Sequence, residues 1–371
     1  EEMAETLKLC VSCKACRREC PTGVDMARMK IEVQAARAEK RGISWHDRLV
    51  GWLPRYAPYA AKSPWLFNLC DRIPLLKRLS ETVGKFSSKR SLPQWRTDTY
   101  QDRSDWVYNA AATEPAREVV LFADTFNRYF ERENLDAALR VLTAGGYRVH
   151  AVMPQDGDAR PLCCGRTFLA VGQVDEAKRE MQRTLDALTP YALRGLPVIG
   201  LEPSCLFGFR DELPALLKGE VVDALAKQAV LLEEFLAREQ QEGRLKLPLG
   251  AILKKALLHG HCHQKAFDAM GAVESVLRMI PELDVETIES SCCGMAGSFG
   301  YDADTIDVSL KMGELSLLPA VRKSGEDTLI VADGTSCRHQ IHDGAGREAL
   351  HVARVLAMSL DAAGLTAGAS P

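Results

Sequence analysis

Four cysteines followed by a proline stand close together in the run CVSCKACRRECP, residues 10–21. Cys10, Cys13 and Cys16 are each separated by two residues, and three further residues precede Cys20. Gaps of two residues let consecutive thiolates bind the corners of one iron–sulfur cubane, whereas tetrahedral zinc sites favour two separated CxxC pairs. The run therefore predicts that these four cysteines are ligands of [4Fe–4S] clusters.

The proline gives this run the spacing of bacterial ferredoxins, in which the fourth cysteine ligates a second cluster. Cys20 is thus expected to point to a cluster for which the sequence holds no second CxxCxxC run. The other three thiolates are one short of the four that a cubane needs. Because the sequence also starts with Glu1 rather than methionine, we expect it to be the C-terminal part of a longer protein, with the first half of a two-cluster ferredoxin upstream.

A second cysteine pattern occurs twice. A CCG tripeptide at 163–165 is followed, 41 residues after its second cysteine, by the cysteine of LEPSC; a CCG at 292–294 is followed after 44 residues by that of DGTSC. When the opening strands are aligned, Thr125 stands opposite Cys262. The first repeat holds Cys163, Cys164 and Cys205. The second repeat holds Cys262, Cys292, Cys293 and Cys337.

Cysteines at strand ends can converge at the carboxyl edge of a sheet, where open α/β sheets place their sites. Four thiolates suit soft iron or zinc, so we predict an iron–sulfur cluster, an iron or a zinc in the second repeat. The three cysteines of the first repeat are predicted to be metal ligands as well. Gly294 is expected to let the backbone approach the metal closely.

Three histidines, at positions 259, 261 and 263, alternate around Cys262. If a regular strand runs through them, they face away from its thiol, unless the strand ends near His261. A ligand role, a hydrogen-bonding role near the metal and a place in the core all remain open for these histidines.

The elements that position the cysteines follow from hydrophobic periodicity. Residues 22–41 predict a helix that Gly42 ends, and residues 45–80 predict short helices interrupted by prolines. From residue 117, apolar strands alternate with helices. The predicted fold class is α+β, with an N-terminal α-helical ferredoxin module followed by two repeated α/β domains. The predicted boundaries are 1–80 for the helical module, 81–116 for a linker that buries Trp95 and Trp106, 117–245 and 246–361 for the repeats, and 362–371 for a disordered tail.

The composition, 46% apolar and 26% charged, is ordinary for a globular protein. No apolar run approaches the roughly 18 residues that suggest a membrane-spanning helix, and twelve clustered cysteines suit metal binding in a reducing compartment. Residues 1–100 hold 19 Lys and Arg against 11 Asp and Glu, whereas the remainder holds 28 against 39. We expect a cytoplasmic protein without nucleic-acid binding, whose basic part faces solvent, an acidic partner domain or the inner face of a membrane.

Together, the run CVSCKACRRECP, the two CCG repeats and the phrases FADTF, GLEPSC, HGHCHQKA, SCCGMAGSFGY and VADGTSCR resemble the iron–sulfur portion of FAD-linked oxidoreductases. That group includes glycolate oxidase iron–sulfur subunits, the C-type subunit of anaerobic glycerol-3-phosphate dehydrogenase and heterodisulfide reductase-type CCG proteins. The phrases are most similar to the C-terminal half of fused D-lactate or D-2-hydroxyglutarate dehydrogenases. Thr125 replaces the opening cysteine of the heterodisulfide reductase pattern, and Cys205 and Cys337 stand singly where that pattern has CxxC, so a complete non-cubane cluster is not expected in the first repeat.

The resemblance implies an oxidoreductase role in electron transfer. Electrons from the oxidation of a 2-hydroxy acid at an FAD, held by an upstream domain or a partner subunit, would pass through the clusters to quinone or another acceptor. No acid–base catalytic residue is expected in this chain. The alternative is a zinc-stabilised module whose CCG domains serve structure and interaction without a redox role.

Overall fold

The structure, a computed structural model, describes residues 2–102 and 117–364. Its N-terminal part is helical up to residue 84. The helices there are α1 (Glu2–Lys8), α2 (Ala15–Glu19), α3 (Met26–Arg41), α4 (Trp45–Gly51), α5 (Leu53–Ala60), α6 (Pro64–Phe67), α7 (Leu69–Arg72) and α8 (Pro74–Gly84). Within the described residues, no helix combines the length and the apolar character needed to cross a membrane.

Helix α3 begins and ends where its sequence predicts. The carboxylate of Asp25 accepts hydrogen bonds from the backbone N–H groups of Ala27 and Arg28, which caps the helix, and Gly42 ends it at a φ of 75°. Prolines stand in the first turn of α5, α6 and α8, where a missing N–H leaves no helical hydrogen bond unmade. Helix α8 continues to Gly84, past the boundary predicted at residue 80.

The first of two parallel sheets has the strand order β2-β1-β3-β4. Its strands are β1 (Arg117–Leu121), β2 (Tyr147–Ala151), β3 (Val198–Gly200) and β4 (Ala229–Leu231). The helices between and after them are α9 (Thr125–Tyr129), α10 (Arg132–Ala144), α11 (Arg166–Ala170), α12 (Val174–Ala192), α13 (Pro203–Arg210), α14 (Glu212–Leu216), α15 (Glu220–Gln228) and α16 (Leu232–Gln241).

The second sheet repeats the topology, with the strand order β6-β5-β7-β8. Its strands are β5 (Lys254–Leu258), β6 (Leu283–Thr287), β7 (Leu329–Val331) and β8 (Ala349–Leu350). Its helices are α17 (Cys262–Ala266), α18 (Met270–Arg278), α19 (Ile306–Glu314), α20 (Leu317–Lys323), α21 (Thr335–Ala345) and α22 (Val352–Ala362), with a 3₁₀ turn at Gly297–Gly300. The described residues thus combine helices with two parallel sheets, which is compatible with the predicted α+β class.

One hydrophobic core joins the two sheets. Buried side chains of α10 and α16, such as Leu135 and Leu236, belong to the same cluster as Val276 of α18 and Leu356 of α22. Burial of such side chains contributes about 25 cal/mol per Å² of apolar surface. The two repeats are therefore held face to face through their helices, with the carboxyl ends of both sets of strands free to carry other groups.

Residues 85–102, the described part of the predicted linker, lie across both repeats. Phe86 pairs with Asp302, and the buried Arg90 forms an ion pair with Asp343 at 3.1 Å, both in the second repeat. The ring of Trp95 packs on Phe130 of the first repeat, with centroids 4.7 Å apart. Trp106 and the predicted tail beyond residue 364 lie outside the described residues.

Candidate metal centres

Four cysteines of the second repeat meet at the carboxyl edge of the β5–β8 sheet. Cys262 is the first residue of α17, Cys337 lies in the first turn of α21, and Cys292 and Cys293 form the loop after β6. Thiol–thiol hydrogen bonds run from Cys262 to Cys292, on to Cys293 and on to Cys337. The bond to Cys292, together with burial, raises the pKa of Cys262 well above its ordinary value. A metal cation would supply the charge that lets such crowded thiols ionise.

The predicted strand through Cys262 is wrong. Strand β5 ends at Leu258, and α17 begins at Cys262 with His261 as its cap. The alternation argument therefore does not apply to the histidines. A ring nitrogen of His259 and the sulfurs of Cys293 and Cys337 all lie within 4.8 Å of one another. Gly260, which interrupts the strand pattern, was the available signal that the strand stops before the cysteine.

The glycine of each CCG loop serves helix packing. Gly294 has a φ of 86°, and a Cβ there would lie 2.5 Å from the carbonyl oxygen of Ser309 in α19. Gly165 has a φ of 79° and packs in the same way against Ala177 of α12. The expectation that Gly294 serves close approach to a metal is replaced by this close approach to a helix.

The first repeat has the same frame with fewer thiols. Thr125 is the first residue of α9, as Cys262 is of α17, and Cys205 lies in the first turn of α13. Cys164 forms thiol hydrogen bonds with both Cys163 and Cys205. The bond with Cys164 lowers the pKa of Cys205, but burial outweighs it and raises the pKa to about 12. The alignment of Thr125 with Cys262 thus holds in the backbone, and three thiols share this site with a hydroxyl group.

The N-terminal cysteine run forms a tight loop with one thiol apart. Burial raises the pKa of Cys13, and so do the neighbouring thiols of Cys262, Cys10 and Cys16. Cys20 has other neighbours: its sulfur lies 3.1 Å from the hydroxyl of Thr22, and that hydrogen bond lowers its pKa. The structure therefore groups three of the four predicted ligands and sets Cys20 on a different side.

This loop packs directly on the second repeat. The imidazole Nε2 of His263 lies 3.0 Å from the carbonyl oxygen of Ser12. Since Ser12 precedes Cys13 and His263 follows Cys262, one hydrogen bond joins the two cysteine sites. The guanidinium of Arg18 also donates to the carbonyl oxygen of Lys265 at 3.0 Å.

Buried ion pairs connect the loop to the first repeat. The ammonium group of Lys14, 1% exposed, contacts Asp25 at 3.3 Å and Glu212 at 2.9 Å, and it also pairs with Asp211. Glu212 in turn accepts from Arg166 at 2.6 Å. The positive charge of Arg166 lowers the pKa of Cys262, against the raising effects of Cys292 and burial, so the guanidinium lies near that thiol. Sequence reasoning missed Lys14, Glu212 and Arg166, because only the fold brings them together.

The residues fit the predicted metals. All twelve cysteines are free thiols, and soft thiolates are the ligands that iron–sulfur clusters and zinc prefer. A cavity of about 1330 Å³ reaches both Cys10 and Cys262, so space exists beside the thiols.

A buried group of Glu233, Asp333 and His351 fits a metal less well. The Nε2 of His351 lies 3.1 Å from the carbonyl oxygen of Leu201, and its Nδ1 accepts from the backbone of Ala353. Both ring nitrogens are thus engaged. Burial raises the pKa of Glu233 well above its ordinary value, so this carboxyl group holds a proton at neutral pH.

Known proteins resemble the chain at two levels. Residues 256–342 match the cysteine-rich domain family CCG. Over 301 residues the chain is 27% identical to the C-type subunit of the anaerobic glycerol-3-phosphate dehydrogenase of Escherichia coli (strain K12), covering 80% of this chain and 72% of that protein.

The D-2-hydroxyglutarate dehydrogenases of Escherichia coli (strain K12) and Pantoea ananatis are 25% and 24% identical and cover 96% of this chain. The chain spans about a third of the length of these two relatives, 34% in each case. The predicted resemblance and an oxidoreductase-related role are confirmed: the chain carries a CCG cysteine-rich domain and is homologous to dehydrogenases of these two kinds.

Proposed function

We propose that the chain is the iron–sulfur electron-transfer module of a flavin-linked 2-hydroxy-acid dehydrogenase. The observation that carries the proposal is the contact between the two cysteine sites, in which the hydrogen bond from His263 to Ser12 brings Cys13 beside Cys262. Adjacent metal centres permit electron transfer, whereas a module that only needed structural zinc has no use for the adjacency. The homology to dehydrogenases supports the same assignment.

The proposed ligands follow the two cysteine patterns. Cys10, Cys13, Cys16 and Cys20 would bind [4Fe–4S] clusters, with Cys20 serving a cluster other than that of the first three. In the second repeat the ligands would be Cys262, Cys292, Cys293 and Cys337. Cys163, Cys164 and Cys205 remain the proposed ligands of the first repeat. We also retain the division into a helical module and two repeats, which the positions of the two sheets support.

When bound, the clusters would supply one-electron redox chemistry, and the chain would hold them and set their potentials. The ammonium group of Lys265 donates to the carbonyl oxygen of Ser291 at 3.0 Å, and the thiols of the second repeat, Cys337 and Cys262 among them, raise its pKa against the lowering effect of burial. A cation beside thiolates stabilises added negative charge, as Arg166 does near Cys262. Burial of the thiols keeps water away from the sulfur ligands.

The electron donor would be an FAD-binding dehydrogenase domain or subunit, because the relatives are named as dehydrogenases or as part of one. The acceptor we propose is a quinone. The cavity beside Cys10 and Cys262 extends to Phe67, Leu79 and Val83, so that an apolar molecule entering between these side chains reaches the cysteine sites. Apolar walls with a few polar groups are typical of small-molecule sites.

A surface at the mouth of this cavity supports peripheral membrane association. We define the apolar patch as six side chains of α6 and α8 that are between 41% and 74% exposed. They are Trp65, Leu66, Phe67, Leu75, Leu79 and Val83. The exposed Arg72 and Arg78 lie in the same segment, so positive charge accompanies the apolar surface. Apolar and basic side chains together suit a membrane with anionic lipid headgroups.

The test is metal and redox analysis of protein purified without oxygen. We expect iron and sulfide, a broad visible absorption that dithionite bleaches, and oxidation of the reduced protein by a short-chain ubiquinone analogue. Cys13→Ala and Cys293→Ala should each remove part of the iron, while Cys70→Ala, which changes a thiol outside both patterns, should remove none. A colourless protein with stoichiometric zinc would instead establish the zinc-stabilised module.

A further inference from the structure

We propose that His259 is a metal ligand of the second-repeat centre, which would then combine an imidazole with the cysteine thiolates. This inference rests on the proposed function only in requiring that the second repeat binds a metal. His259 is the first residue after β5, fully buried, and Cys262 follows it by three positions. Its ring therefore stands at the same sheet edge as the cysteines.

The distances suit ligation. One ring nitrogen of His259 and the sulfurs of Cys293 and Cys337 lie within 4.8 Å of one another. Typical bonds to zinc are about 2.0 Å from imidazole nitrogen and about 2.3 Å from thiolate sulfur, so a single ion can bridge atoms at such separations. The backbone needs no rearrangement for these three groups to share a metal.

The hydrogen bonds of His259 leave the correct nitrogen available. Its Nδ1 lies 2.8 Å from the hydroxyl of Ser290, and that hydroxyl lies 3.4 Å from the carbonyl oxygen of Ile288. Ser290 can thus donate to Ile288 and accept from Nδ1–H of the imidazole, which leaves Nε2 with a free lone pair. Metal-binding histidines commonly donate their other N–H to an oxygen in this manner.

The Nε2 atom has no other use in the fold. Among the described residues it has no hydrogen-bond partner, although it is buried. Buried polar atoms are paired in the great majority of cases, and an unpaired one points to a ligand that would occupy its lone pair. The other two histidines of the run are engaged elsewhere: the ring of His261 accepts from the backbone of His263, and that of His263 contacts Ser12.

The first repeat offers an internal comparison. Phe122 is the first residue after β1 and precedes Thr125 by three positions, so it occupies the place of His259. The repeat that lacks the opening cysteine therefore also lacks the histidine. A loss of both groups together is expected if both bind the same metal, and has no reason if His259 is merely a core residue.

The test uses the full chain, purified without oxygen and labelled with ¹⁵N in histidine alone. Pulsed electron paramagnetic resonance on the iron centres should show a directly coupled ¹⁵N, or, if the metal is zinc, X-ray absorption at the zinc edge should show imidazole scattering. His259→Gln should abolish that signal and weaken metal retention against a chelator by roughly tenfold or more. His351→Gln, which removes an equally buried imidazole whose nitrogens are both hydrogen-bonded, should leave the signal in place.

The outcomes separate this inference from the proposed function. A second-repeat metal with sulfur ligands alone, seen in the unmutated protein, overturns the role of His259 and leaves electron transfer standing. A signal that survives in the His259→Gln protein overturns it as well. If the Cys293→Ala protein holds as much metal as the unmutated one, the second repeat binds none, and both the inference and this part of the proposed function fail.

Discussion

At the scale of single residues, the two CCG loops differ in chemistry and share geometry. In each loop the backbone N–H of the glycine donates to the sulfur of the first cysteine over 3.4 Å. The difference lies at the start of the first helix, where the first repeat has Thr125 and the second has Cys262. A site short of one thiolate must leave a metal position to water or to a partner group, which favours loss of the metal.

We therefore expect unequal effects from two matched substitutions. Cys293→Ala should abolish the metal signal of the CCG domains, because it removes a thiol that bridges Cys292 and Cys337. Cys164→Ala should retain that metal and lower the free energy of unfolding by about 1–2 kcal/mol, as expected for the loss of a small buried group. Metal analysis and urea unfolding of both variants measure the two effects. Equal metal loss in both variants would show that the two repeats contribute alike.

At the scale of elements, a buried ion pair ties the first repeat to helix α21 of the second. Arg338 donates to both carboxylate oxygens of Glu131, at 2.7 and 2.6 Å, and the hydroxyl of Thr335 donates to the same group at 3.0 Å. The carboxylate of Glu202 accepts from the backbone N–H of Thr335 at 2.9 Å. Helix α21 carries Cys337, so these contacts fix a metal-binding helix against the other repeat.

This ion pair predicts a pH dependence of stability. Burial would raise the pKa of Glu131, but Arg338 outweighs it and holds the pKa at about 2. Because the folded pKa lies below the unfolded value of about 4.3, the pair stabilises the fold above that pH and loses its effect as the pH falls towards 2. Glu131→Gln should lower the free energy of unfolding by about 3 kcal/mol at neutral pH and flatten its slope between about pH 4.5 and 2.

The control for this experiment is Asp98→Asn. Arg96 likewise holds the pKa of Asp98 at about 2, but the Asp98 side chain is 58% exposed, so solvent screens the pair. Urea unfolding across the pH range should therefore show little change for this variant. An unchanged acid slope in the Glu131→Gln protein would show that the pair between the repeats does not govern acid stability.

At the scale of the whole molecule, the N-terminal helices bring the apolar patch and the cysteine sites to one cavity. Lys14 holds the cysteine run against the first repeat, and His263 holds it against the second. Residues 85–102 then cross both repeats. The patch on α8 is consequently placed on the outside of the same unit that would carry the clusters.

We expect the apolar patch to bind vesicles that contain anionic lipid. Leu75→Ser, Leu79→Ser and Val83→Ser combined should reduce co-sedimentation with such vesicles at least tenfold, because each apolar side chain that enters the lipid contributes roughly 1 kcal/mol or more. The control combines Leu253→Ser and Leu315→Ser, which lie outside the patch and are 81% and 75% exposed. Equal losses in both variants, or no sedimentation of the unmutated protein, would contradict the membrane role.

The sequence by itself determined the two cysteine patterns and the repeat, since ligand spacing along a chain is a local property. It also predicted helix α3, whose cap residues Asp25 and Gly42 act on neighbouring backbone groups. Tertiary structure alone decided that His259 faces Cys293 and that Cys13 lies beside Cys262, because strand β5 stops before the histidine and the N-terminal loop folds onto α17. The burial of Lys14 among three carboxylates has the same origin: Asp211, one of its partners, lies 197 positions away, and only packing brings the two within reach.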